Sequence, residues 1–80
     1  MEKSLHSKGY RLFLRHLRDA RRRAGLTQEE LARRLSETQS FISKCERGER
    51  RIDVVELRQF CKALGISVAE FVRRLERGMD

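Results

Sequence analysis

Apolar positions recur at three- and four-residue spacing along most of this chain, and polar residues that stop or start helices punctuate them. Tyr10, Phe13, Leu14, Leu17, Ala20 and Ala24 fall on one face of a helix from Tyr10 to Ala24, with Gly25 as the residue that ends it. Thr27 with Glu30 three positions on has capping-box spacing, and Leu31, Ala32 and Leu35 then share a face. Ser36 and Glu37 break that pattern, and Thr38 is a natural cap for a third helix. In that helix Ile42, Cys45 and Glu46 point one way, while Ser40, Ser43, Lys44 and Arg47 point the other. Gly48 to Ile52 reads as a loop, with Gly48 supplying a positive φ. Asp53 caps a fourth helix with Val54, Leu57, Phe60, Cys61 and Leu64 inside, ended by Gly65. Ser67 and Glu70 box the start of a fifth, whose apolar residues are Ile66, Val68, Phe71, Val72 and Leu75 and whose end is Gly78. No stretch alternates as a strand would. The expectation is an all-α, compact five-helix bundle over residues 10–77, preceded by a flexible N-terminal arm over 1–9.

Two positions break the apolar stripes. Arg21 sits between Leu17 and Ala24 on the first helix, and Glu46 stands beside Ile42 and Cys45 on the third. A buried charge needs a partner, so the two anomalies explain each other as one structural ion pair.

Charge then narrows the partner. Nineteen Lys and Arg against twelve Asp and Glu leave a net charge of +7 and a pI near 10.4. That balance favours a polyanion, nucleic acid before membrane. The short helix held up by another short helix, Thr27 to Gly48, has the form that enters a DNA major groove. Its first turns would meet base edges. Gln39 pairs naturally with adenine, Ser40 is permissive, and Ser43 and Lys44 follow one turn on, with Lys44 able to reach guanine. Gln28 near the amides that open the second helix, Arg50 and Arg51 beside the end of the third, and Arg23 and Arg47 are the candidates for phosphate. Phe41 lies between the two faces and is expected to pack against the core.

The blocks LTQEELARRL and QSFISKCERGER resemble the phage repressor/Cro-type (XRE-like) helix-turn-helix family of small bacterial regulators, in register from about Phe13 to Leu75. The resemblance implies a λ-repressor-like fold with the helix-turn-helix at helices 2 and 3 and base contacts from Gln39, Ser40, Ser43 and Lys44. It also implies the Arg21–Glu46 pair. Three residues depart from the family pattern. Ser36 stands where glycine is common, Ile52 where proline is common, and Glu37 adds an acid in the turn.

The leading expectation is a cytoplasmic, sequence-specific double-stranded DNA-binding regulator. It would act as a homodimer on a palindromic operator, with the recognition helix at 38–47. A restriction–modification controller, a phage or mobile-element repressor and an antitoxin all fit this length. Val55, Val72 and Met79 are surplus to the core and are the candidates for a dimer interface. The alternative is an antitoxin or similar interaction module with a toxin as partner, which the few residues before helix 1 disfavour. An enzyme is not expected, because His6 and His16 have no nucleophile or second base at motif spacing. Cys45 and Cys61 fall on apolar faces and read as reduced, buried thiols. No metal, cofactor or small-molecule ligand is expected. The start of the chain lacks the apolar run of a signal peptide, and no segment is long and apolar enough to span a membrane.

Overall fold

The computed structural model describes residues 7–79. Among them the chain forms α1 (Lys8–Arg23), α2 (Gln28–Leu35), α3 (Gln39–Glu46), α4 (Val54–Leu64) and α5 (Val68–Met79), with no strand. The first helix begins earlier than its apolar stripe suggests. Ser7 caps it, accepting the Tyr10 N–H at 3.1 Å, so Lys8 and Gly9 belong to α1; residues 1–6 of the expected arm lie outside the described residues. Thr27 and Glu30 form both halves of a capping box, as do Asp53 and Glu56. At α5 only the Ser67 half forms as expected. Ser67 Oγ accepts the Glu70 N–H at 3.0 Å, while the Glu70 carboxylate is engaged by Arg74 at 2.9 Å and by Arg73.

Leu17, Leu31, Ile42, Cys45, Phe60, Cys61 and Phe71 are the innermost side chains, one or more from every helix. Two loop residues, Leu26 and Ile52, complete this core. They do work assigned in sequence to Ala24 and Val54, both of which are exposed. Ala24 lies past the end of α1, where the chain turns through Gly25 at φ +75°. Val54 opens α4, and because helical Cβ atoms tilt towards the N-terminus its side chain overhangs the helix end, 71% exposed. Burial pushes the Cys45 and Cys61 thiols up from their ordinary range, so both stay protonated near neutral pH.

Gly78 does not end α5, which runs through it to Met79. Its position reflects a close approach instead, because a Cβ there would stand 2.9 Å from Nε2 of His16 on α1. His16 is correspondingly half-buried rather than a free surface histidine.

Two of the departures from the family pattern have local consequences. Ser36 is the one non-glycine among the described residues with positive φ, at 55°, ψ 40°. A left-handed serine costs about 1–2 kcal/mol, part of which glycine would return to the flexible unfolded chain. Ser36→Gly is therefore expected to stabilise the fold by about 0.5–1 kcal/mol, a rise of a few degrees in Tm for a domain this small. Calorimetry checks it; an unchanged or lower midpoint would show the turn to be unstrained. Ile52 is buried, and its N–H donates to the Tyr10 hydroxyl at 3.0 Å, a bond that proline could not make.

Candidate nucleic-acid interface

One buried carboxylate on α3, that of Glu46, is tied to both α1 and α2. Glu46, only 5% exposed, accepts from Arg21 Nε at 2.6 Å and from Arg21 Nη2 at 3.0 Å, a bidentate pair joining α3 to α1. The third arm of the guanidinium donates to the Leu26 carbonyl at 2.9 Å. Glu46 Oε1 also accepts from Gln28 Nε2 at 2.9 Å, and Gln28 Oε1 accepts from Gln39 Nε2 at 2.8 Å. This chain has a direction. An ionised carboxylate only accepts, so the Gln28 amide must turn its NH2 inward and its oxygen outward. That oxygen in turn takes one N–H of Gln39. Gln39 is left with its carbonyl oxygen and its second N–H for anything that docks on the exposed first turn of α3.

Gln39, Ser40 and Lys44 are exposed on α3, and Ser43 is half-buried, its hydroxyl accepting from Arg47. Thr38 caps the helix, accepting the Phe41 N–H at 3.1 Å. Phe41 turns towards the core, its ring 6.4 Å from that of Phe60. Gly48 at φ +81° turns the chain after Arg47.

The loop beyond α3 is more organised than its sequence suggests. Arg50 lies over the Phe41 ring, 4.8 Å from its centroid, and pairs with Glu56 at 2.7 Å. The Arg50 hydrogen bond, with help from the Asp53 N–H, holds the Glu56 carboxyl below its ordinary range. Arg51 stacks over Tyr10 at 4.8 Å, and Arg47 pairs with Glu49 at 2.6 Å. These aromatic and acidic partners were not legible from sequence spacing. Gln28 likewise sits as an inner link between Glu46 and Gln39, in addition to opening α2. Arg23 is placed elsewhere, because it lines a groove with Leu64, Gly65, Ser67 and Arg74 at the α4–α5 turn and shares it with no residue of α2 or α3. Among the described residues no helix is long and apolar enough to cross a membrane.

A family model described as helix-turn-helix matches residues 17–71, the span from the middle of α1 to Phe71. An XRE-family-like protein from Pseudomonas syringae pv. tomato superposes with a TM-score of 0.85 at 43% identity, covering 94% of this chain and 92% of that one. This chain belongs to the XRE-type helix-turn-helix family. Among other members of that fold, the wild-type restriction–modification controller protein C.Esp1396I superposes with a TM-score of 0.84 at 26% identity, over 92% of this chain and 96% of that one. An uncharacterized HTH-type transcriptional regulator of Sinorhizobium fredii is 44% identical over 52 residues, 65% of this chain and 68% of its own length. A transcriptional regulator of Rhodospirillum rubrum is 43% identical over 53 residues, about half of its own length (49%). In XRE-type terms, α2 and α3 are the two helices of the helix-turn-helix.

Proposed function

We propose that this XRE-type protein is a sequence-specific regulator of transcription that binds double-stranded DNA in the cytoplasm as a homodimer, laying α3 in the major groove of each half of a palindromic operator. The observation that carries the reading is the directed chain from Glu46 through Gln28 to Gln39. It presents one amide oxygen and one N–H side by side, the pattern that adenine N6 and N7 complement. Ser40, Ser43 and Lys44 extend that surface along α3. Gln28, Arg47, Arg50 and Arg51 are assigned to the phosphates that flank it, and the placement of Arg23 makes it the weakest member of that set. Likeness to a restriction–modification controller protein supports a regulator of this general kind.

Selection of bound sequences from random duplex tests the reading directly, and a pool with no preferred sequence would overturn it. The division of roles has its own test. Gln39→Ala is expected to cost about 1–3 kcal/mol on the selected site and to relax preference at one base pair. Arg50→Ala should weaken selected and random DNA alike and flatten the salt dependence by about one unit of slope. A changed sequence preference in Arg50→Ala would reverse the assignment.

The homodimer follows from the size of a half-site. One major-groove helix reads too few base pairs, so two α3 helices must stand roughly 34 Å apart. The contact is assigned to the α4–α5 side. There Val54 and Val55 are 71% and 63% exposed, and they share an open groove with Ile66 and Val68. Val72 is 38% exposed, and Met79, 52% exposed, reaches back towards Gly9 on its own α1. Sedimentation at micromolar concentration should give a dimer that Val55→Glu or Val72→Glu converts to monomer, with loss of operator affinity. If both variants kept the mass and the affinity of the parent, this interface would be abandoned.

A further inference from the structure

Lys8, Arg11, Arg15 and Arg18 follow one another along α1 at intervals of three, four and three residues, which places all four on one face of the helix. The face lies opposite the buried Leu17 and Ala20. Lys8, Arg11 and Arg15 are exposed and Arg18 is half-exposed. Over its whole length α1 carries seven cations and a single acid, Asp19. The row does not stand apart from the recognition helix. It lines an open groove with Leu12 and Leu14 of its own helix, with Glu46, Arg47 and Glu49 at and beyond the end of α3, and with Gly78 and Met79 at the end of α5. The two carboxylates there are each paired with an arginine, Glu46 with Arg21 and Glu49 with Arg47, and among the described lining residues cations outnumber acids. At about 1.5 Å per residue the row is roughly 15 Å long, and duplex DNA carries a phosphate on each strand about every 3.4 Å of that length.

We propose that the basic row of α1 is a second DNA surface, holding the sugar–phosphate backbone of the duplex beyond the half-site that α3 reads. The inference rests on α3 docking in the major groove, because Arg47 is what joins the row to that surface. Backbone contact here carries no base preference. It lengthens the footprint past the recognised bases and makes affinity depend on how much flanking duplex is present.

Two duplexes test it, one ending at the edges of the selected sequence and one carrying about six further base pairs of unrelated sequence on each side. The parent protein should bind the longer duplex more tightly at low salt, with a log–log salt slope steeper by about 2–4 at roughly 0.9 per phosphate neutralised. The variant Arg15→Gln/Arg18→Gln, first shown by its melting curve to be folded, should lose about two units of that extra slope while binding the short duplex within about twofold of the parent. Equal slopes for the parent on both duplexes would overturn the proposal and leave the row to solvent or to an acidic protein. Equal weakening of the variant on both duplexes would overturn it too. In either case an intact preferred sequence would leave the α3 reading standing, whereas a protein with no preferred sequence sinks both.

Discussion

Glu46→Ala is expected to lose roughly 3–5 kcal/mol of stability, because it strands the buried guanidinium of Arg21. That is a large share of what a domain of this size possesses. The side chains of Arg21 and Glu46 are 9% and 3% exposed, so water cannot replace the missing partner, and only the Leu26 carbonyl remains to Arg21. Glu49→Ala is the matched control. It removes a carboxylate from an arginine pair in which both side chains are about half exposed, 54% and 53%, and should fall within about 0.5 kcal/mol of the parent. Urea unfolding of the two variants measures the difference, and equal midpoints would remove the pair from the account of stability. The double variant Arg21→Met/Glu46→Leu separates causes. If the cost is a stranded charge, replacing both partners recovers most of it.

Phe71→Ala is expected to cost a similar amount, about 3–5 kcal/mol. Phe71 is the only buried residue of α5, and its ring meets Phe13 of α1 edge-on at 5.7 Å. The rest of α5 is held by half-buried Val68 and Leu75 and by the close approach at Gly78. Its loss should therefore release α5 as a unit. In the dimeric reading, operator affinity should fall with it although the residue lies far from α3 in sequence. Thermal unfolding and operator titration on the same preparation check both halves. A variant as stable as the parent would mean that α5 is anchored elsewhere.

The helices were legible in the sequence because amphipathic periodicity and capping residues are local signals. Thr27, Thr38, Asp53 and Ser67 all cap the helices that follow them. The pairing of Arg21 with Glu46 was legible for a different reason, since a charge on an apolar stripe has to be answered somewhere. The burial of Leu26 and Ile52 was not legible because a buried residue in a loop belongs to no period. The start of α1 escaped notice because Ser7 lacks the acidic partner that makes a capping box conspicuous. Gly78 was misleading because glycine ends helices and also lets them approach. The residues proposed to face bases could be named from α3 alone. The inward link from Gln39 to Glu46, and the stacking of Arg50 and Arg51 on aromatic rings, depend on elements far apart in the chain and could not be read from spacing.

The bond from Ile52 to the Tyr10 hydroxyl joins residues 42 positions apart, and the Arg21–Glu46 pair joins residues 25 apart. One tie lies at the end of α3 and the other in the loop that follows it, and both lead back to α1. An excised peptide from Thr27 to Gly48 would carry all four side chains proposed to read bases and neither of these ties. The proposed reading surface is thus a property of the whole cooperative unit rather than of its middle third. It forms and vanishes with global folding, and each unfolded molecule is subtracted one for one from the pool that can bind DNA.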